Sequence, residues 1–163
     1  MASCIIFGAA DFTRLIEPVS PEDYIIAADG GLRHTQALGL TPQEILGDFD
    51  SLGYIPQGAT VYPVEKDDTD TMLAVKRGLA LGYRRFLLYG GMGGRRLDHT
   101  MANFQALAYL ATHNALGFLV GSDTLAAAIH RGTVNFPAGM AGDFSAFCLG
   151  SPARDVSIRG LYY

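Results

Sequence analysis

Arg85-Phe86-Leu87-Leu88-Tyr89-Gly90-Gly91-Met92-Gly93-Gly94 decides the fold. Its first half has the length and composition of a buried strand, and its glycine-rich second half lets the backbone approach a ligand closely. A helical pattern follows from Leu97 to His113, with Met101, Phe104, Leu107, Ala108 and Ala111 on one face. Strand, polar loop and helix in that order are the repeating unit of an α/β protein with a mainly parallel sheet.

The same unit recurs on both sides. Cys4-Ile5-Ile6-Phe7-Gly8-Ala9, ending in small residues, and Tyr24-Ile25-Ile26-Ala27-Ala28 are short apolar runs that fit buried strands running into loops. The second ends at Asp29-Gly30-Gly31, and a helix follows from Leu32 to Leu38, with Gly39 placed to stop it. Ile45-Leu46 then delivers Gly47-Asp48-Phe49-Asp50-Ser51 at a strand's carboxyl end. Thr60-Val61-Tyr62-Pro63-Val64 has strand composition, and its proline favours a sheet edge. Asp67-Asp68-Thr69-Asp70 opens a helix through Met72, Leu73, Val75, Leu79 and Ala80 that stops at Gly82; acids at its start suit the helix dipole. Leu116-Gly117-Phe118-Leu119-Val120 supplies another strand. The expected architecture is a mainly parallel, Rossmann-like α/β sheet with helices on both faces, spanning residues 1–122. Beyond Asp123, Leu125 to Ile129 fits helix or strand, whereas Thr133–Phe136, Phe144–Cys148 and Val156–Arg159 read as short strands between Gly/Pro turns. Residues 123–163 are therefore expected to begin a sandwich-like all-β module.

Bulk composition removes several function classes. Hydrophobic residues make up 49% of the 163 and charged ones 17%, which describes a globular protein rather than a disordered one. A net charge of −4 and the lack of any Lys/Arg run argue against nucleic-acid binding. No apolar window is long enough to cross a bilayer, and the start has no basic region ahead of its apolar run. Cys4 and Cys148 match no metal or redox spacing and read as buried, reduced thiols, so a cytoplasmic protein is expected.

The acids carry the chemistry. Aspartates number twelve against four glutamates, and Asp29, Asp48, Asp50, Asp67, Asp68, Asp70 and Asp98 fall at or near the loops. Short, stiff Asp suits turns and helix caps, and it also suits hard cations. By the rule that ligands sit beyond the carboxyl ends of parallel strands, the clusters at Asp29, Asp48 and Gly93 lie where a ligand would bind. Oxygen ligands without His/Cys spacing favour Mg²⁺ over zinc, and Mg²⁺ held by few carboxylates keeps open positions for phosphates. Arg95 or Arg96 adds positive charge, while the missing Gly-Lys-Ser/Thr ending excludes a P-loop. Phosphoryl-type transfer is the chemistry such a set supports.

Asp29-Gly30-Gly31, Gly47-Asp48-Phe49-Asp50-Ser51, Asp67-Asp68-Thr69-Asp70 and Gly93-Gly94-Arg95-Arg96-Leu97-Asp98-His99, in that order and followed by Asn103, resemble thiamine pyrophosphokinase over nearly the whole chain. The resemblance implies transfer of the β,γ-diphosphate of ATP to the hydroxyl of thiamine, giving thiamine diphosphate and AMP, with Mg²⁺ required. It implies a homodimer in which thiamine lies near the interface between the α/β domain of one subunit and the β domain of the other. Carried over residue by residue, it makes Asp48, Asp50 and Asp70 the metal and catalytic acids, with Arg95 stabilising developing charge. Asp29 and Asp68 support them, and Ser51 and Thr69 bring hydroxyls near the phosphates. Gly30, Gly93, Arg95, Asp98, His99 and Asn103 shape the nucleotide and thiamine pockets. Family members continue through further β-strands, so a chain ending at Tyr163 is expected to be a fragment or to have an incomplete thiamine site. The same residues leave open a diphosphokinase for another alcohol of hydroxymethylpterin type, a metal-dependent glycosyltransferase, and a binding module without turnover.

Overall fold

A computed structural model of the chain describes residues 1–94, 96–150 and 152–162. Seven strands form one sheet: β1 (Cys4–Phe7), β2 (Tyr24–Ala28), β3 (Glu44–Gly47), β4 (Thr60–Val61), β5 (Arg85–Tyr89), β6 (Leu116–Val120) and β7 (Leu125–Ala127). Their spatial order is β4-β3-β2-β1-β5-β6-β7. All neighbours pair in parallel except β6 and β7, which are antiparallel. Leu125–Ala127, ambiguous by periodicity, is thus a strand, and it lies past the expected division at 122/123. Of the stretch Thr60–Val64 only Thr60–Val61 forms β4, an edge strand with Val61 exposed that ends before Pro63, and an edge is where a nearby proline is tolerated.

Alternation of side chains along each strand sorts the core into two faces. Cys4, Ile6, Ile26, Ala28, Leu46, Phe86, Leu88 and Leu119 lie on one, packed with α2 (Asp70–Ala80) and α3 (Leu97–Thr112) through Ala74, Val75, Ala106, Leu107 and Leu110. The buried stripe of α3 is Asn103, Ala106, Leu107, Leu110 and Ala111. Leu107 and Ala111 are inside as the sequence reading has them and Phe104 packs partly buried against the core, whereas Met101 is 53% exposed.

Ile5, Phe7, Ile25, Leu87, Tyr89 and Val120 form the other face. Helices on both sides were expected, yet most of this cover is irregular chain. Phe12, Leu15 and Val19 pack on it, with Leu40 following the short α1 (Leu32–Ala37). His34 of α1 meets Phe12 with ring centres 5.4 Å apart. Pro18 and Pro21 explain why residues 12–21 are not a helix, since neither can donate a helical hydrogen bond.

The sheet order reverses at β1, and the loops leaving β1 and β5 meet at that point. Gly8 N–H donates to the Tyr89 carbonyl at 2.8 Å and Ala10 N–H to the Gly90 carbonyl at 2.9 Å. Only glycine fits there: a Cβ on Gly90 would lie 2.3 Å from the Gly8 carbonyl oxygen, and Gly90 has φ +61°. Ligand crevices in doubly wound sheets open at such reversals.

The chain divides into two compact units, Met1–Gly132 and Thr133–Tyr163. The second holds no helix or strand among its described residues, so the strands expected at Thr133–Phe136, Phe144–Cys148 and Val156–Arg159 are not formed. A strand exists only when paired, and a backbone bond here, Met140 N–H to the Pro137 carbonyl at 3.3 Å, closes a turn instead. Phe136 and Phe144 meet edge to face at 6.5 Å.

The cysteines differ in the same sense. Cys4 is buried in the sheet, and desolvation, with the charge of Glu44 adding, pushes its thiol up to about 12. Cys148, expected to be buried, is exposed because the segment around it builds no core. Native protein should give a thiol reagent at mildly alkaline pH one reactive cysteine per chain and denatured protein both; two fast-reacting thiols in the native state would contradict the burial of Cys4.

Candidate functional site

The site begins where β3 ends. Gly47 has φ +149°, and a Cβ there would sit 3.1 Å from both Cα and N of Asp29, so only glycine lets the ends of β2 and β3 approach this closely. Phe49 follows with φ +60° and is 97% buried, leaving only 3% of its surface exposed. A bulky residue in the left-handed region is a backbone outlier that surrounding structure must hold in place. The ring is the anchor, and it leaves the acids on either side, Asp48 and Asp50, at the surface of the crevice. Asp48 Oδ1 accepts the Asp50 N–H at 3.3 Å, the Asx-type bond that the turn chemistry of Asp predicts.

Asp29 faces them from the end of β2. It has φ +48° and is 8% exposed. Its Oδ2 accepts the Ser51 hydroxyl at 2.6 Å, whereas its Oδ1 is buried without a hydrogen-bond partner. Gly30 permits that contact, because a Cβ there would meet Ser51 Oγ at 2.8 Å. One carboxylate oxygen from each of Asp29, Asp48 and Asp50 lies within 4.8 Å of the others. An orphaned buried oxygen among three hard-oxygen donors fits a hard divalent cation.

Lys66 lines the same group. Its Nζ donates to Asp48 Oδ2 at 2.9 Å and to the Pro63 carbonyl at 3.2 Å, and it lies 3.2 Å from Asp70 Oδ1. The Lys66 hydrogen bond is the main cause holding Asp48 below the usual carboxylate range. Asp70, the first residue of α2, is pushed the other way, chiefly by burial, with Asp48 and Asp29 adding to the rise. Thr69 caps α2, its hydroxyl accepting the Met72 N–H at 3.2 Å. Asp68 pairs with Lys76 on the exposed side of the helix. The run Asp68-Thr69-Asp70 therefore splits into three jobs, and only Asp70 reaches the acidic group.

The glycine loop forms the other wall. Gly93 and Gly94 both have positive φ, and Gly94 N–H donates to Asp11 Oδ2 at 3.2 Å. Asp11, Gly93 and Met92 line a cavity of about 200 Å³ with Gly121, Ser122, Asp123 and Thr124. Asn103 is buried in α3 and its Nδ2 donates to the Gly91 carbonyl at 2.7 Å, so it holds the loop from behind. Arg96 grips Asp98 at 2.6 Å and holds that exposed carboxyl down to about 2; Asp50 adds a smaller share to the field at Arg96. His99 is exposed in the first turn of α3. Arg95 lies outside the described residues.

The sequence matches the family model described as thiamin pyrophosphokinase, catalytic domain, over residues 17–118, more than half of the chain. The chain belongs to that family. A solved structure of a probable thiamine pyrophosphokinase from Staphylococcus saprophyticus is 31% identical with TM-score 0.56, over 74% of this chain and 65% of that one. A thiamin pyrophosphokinase family protein from Enterococcus faecalis is 28% identical with TM-score 0.59, covering 74% and 61%. Thiamine pyrophosphokinase from Bacillus subtilis is 25% identical with TM-score 0.59, covering 74% and 60%. This chain thus spans less than two thirds of the length of each. No curated protein matches it. Among the described residues no helix is long and apolar enough to cross a membrane.

Sequence reading missed Lys66 and Asp11. Lys66 carried no signal, because it precedes α2 and its four-residue spacing to Asp70 lies outside a helix. Asp11 carried none, because its partner is eighty-three residues away.

The crowding of Asp29 against Asp48 and Asp50 has a measurable consequence. Asp29→Asn, a residue that also tolerates φ +48°, should raise cation-free stability by about 1 kcal/mol and abolish any stabilisation by added Mg²⁺. Urea unfolding with and without Mg²⁺ measures both; a destabilised variant that still responds to Mg²⁺ would make Asp29 structural.

Proposed function

We propose that the protein is a thiamine diphosphokinase, transferring the β,γ-diphosphate of ATP to the hydroxyl of thiamine and releasing AMP. The carrying observation is the convergence of Asp29, Asp48 and Asp50 at the carboxyl ends of β2 and β3 in a chain of this family. Asp48, Asp50 and Asp29 hold Mg²⁺, and Asp70 completes the acidic wall. Ser51 fixes Asp29 in place through its hydroxyl. When bound, the cation supplies positive charge against phosphate oxygens and orients them for in-line displacement.

The chain's own residues do the rest. Gly90, Gly93 and Gly94 bend at positive φ and carry no side chains, so the N–H groups of this loop can come close to phosphate oxygens. Asn103 keeps that loop in one position by binding Gly91. Arg95, by its place in the motif, adds charge to the leaving side, and Gly30, Gly93, Asp98 and His99 shape the pocket, with Asp68 and Thr69 fixing the start of α2. The thiamine oxygen bonds to the β-phosphorus as the bridge from that phosphorus to the α-phosphate oxygen breaks. The hydroxyl proton passes to a carboxylate of the group, and AMP leaves.

The active form is a cytoplasmic homodimer whose thiamine pocket draws on a partner subunit. Family membership supports this, and so does the apolar area that the second unit leaves uncovered: Phe147 is 86% exposed and Val156 64%.

AMP release from ATP and Mg²⁺ should depend saturably on thiamine. Release driven by a hydroxymethylpterin but not by thiamine would replace the substrate assigned here. Asp50→Asn should lower kcat by at least about 100-fold. Asp50 is exposed, so the melting temperature should stay near that of the parent; activity within a few-fold of the parent would return Asp50 to an ordinary turn residue.

A further inference from the structure

Lys66 occupies an unusual position for a lysine. Its side chain is 14% exposed, and its ammonium donates to Asp48 Oδ2 and to the Pro63 carbonyl and lies 3.2 Å from Asp70 Oδ1, an oxygen that is buried and accepts no hydrogen bond. Both oxygens of Asp48 are engaged in this state, one by Lys66 and one by the Asp50 N–H. A divalent cation that takes Asp48 together with Asp29 and Asp50 competes with those donors for the lone pairs of the carboxylate. It also brings like charge up to the ammonium in a partly buried site, where screening is weak.

We propose that Lys66 is an internal counter-ion, which holds Asp48 beside Asp70 when no cation is bound and is displaced from Asp48 when one binds. The proposal rests on the reading of Asp29, Asp48 and Asp50 as cation ligands. Its consequence is an exchange of positive charges: acids that would repel one another stay assembled before the cation arrives, and the cation takes over that role once bound. Lys66 thereby lowers the affinity of the free protein for the cation alone. It acts through Asp48 and Asp70 and is a positioning residue.

The chain has two lysines, and the other, Lys76, pairs with Asp68 outside the acidic group with 42% of its side chain exposed. Reductive methylation followed by mass spectrometry can thus read Lys66 in the unaltered protein, with Lys76 as internal reference. Saturating Mg²⁺, with binding followed separately by calorimetry, should raise the Lys66-to-Lys76 labelling ratio several-fold. In a second measurement, Lys66→Gln should bind Mn²⁺ about tenfold tighter than the parent, while Lys66→Arg, which keeps the charge, should stay within a few-fold of it. If the cation binds but neither the labelling ratio nor the Lys66→Gln affinity changes, the counter-ion role is wrong and the acidic ligands stand. If calorimetry shows no cation binding at all, the ligand reading fails and this proposal fails with it.

Discussion

Asp29, Asp48 and Asp50 repel one another. At separations up to 4.8 Å, two unit charges near a protein surface oppose each other by roughly 3 to 4 kcal/mol, a large share of the net stability of an ordinary domain. The chain also holds Phe49 and Asp29 at positive φ, each costing on the order of 1 to 3 kcal/mol. Such a site persists only if something stronger fixes its backbone. Here that support is a parallel sheet whose central strands are buried on both faces, so that the ends of β2 and β3 cannot relax apart without opening the core.

The two-pronged acid depends on this support through Phe49. Its ring lies in the protein while Asp48 and Asp50 emerge on either side, so loss of the ring would release both acids together. Gly47 does the complementary work on the backbone, admitting Asp29 to within van der Waals contact. Binding geometry is therefore written mostly in residues that carry no charge. Asn103 repeats the pattern on the opposite wall, spending a buried amide on the carbonyl of Gly91.

What could be read from the sequence divides along the same line. Strands β1, β2, β5 and β6 were legible because a strand buried on both faces must be a short apolar run, and few alternatives produce one. The convergence of Asp29, Asp48 and Asp50 was legible because polar loops follow those runs directly. The inner face of α3 was legible at Leu107 and Ala111 but not at every position, since Met101 and Ala106 are both acceptable on such a face and only the opposing sheet decides between them. Lys66 and Asp11 escaped because their partners are set by tertiary approach rather than by spacing. In the second unit, alternating apolar residues looked like strands, but alternation states which face a strand would bury and supplies no partner to pair with.

The division of Asp68-Thr69-Asp70 shows why residue type alone could not assign roles. All three satisfy the preferences of a helix start, and all three stand in the same family motif. One helical turn separates their outcomes: Thr69 turns its oxygen back onto the Met72 N–H, Asp68 points along the outer face to Lys76, and Asp70 points inward to Lys66. Helix polarity favours an acid at each of these positions. Only the inward one meets other carboxylates, and burial there raises the cost of its charge. That acid stands beside a lysine that is itself largely buried. The cap and the outer pair secure the end of the helix from which it projects.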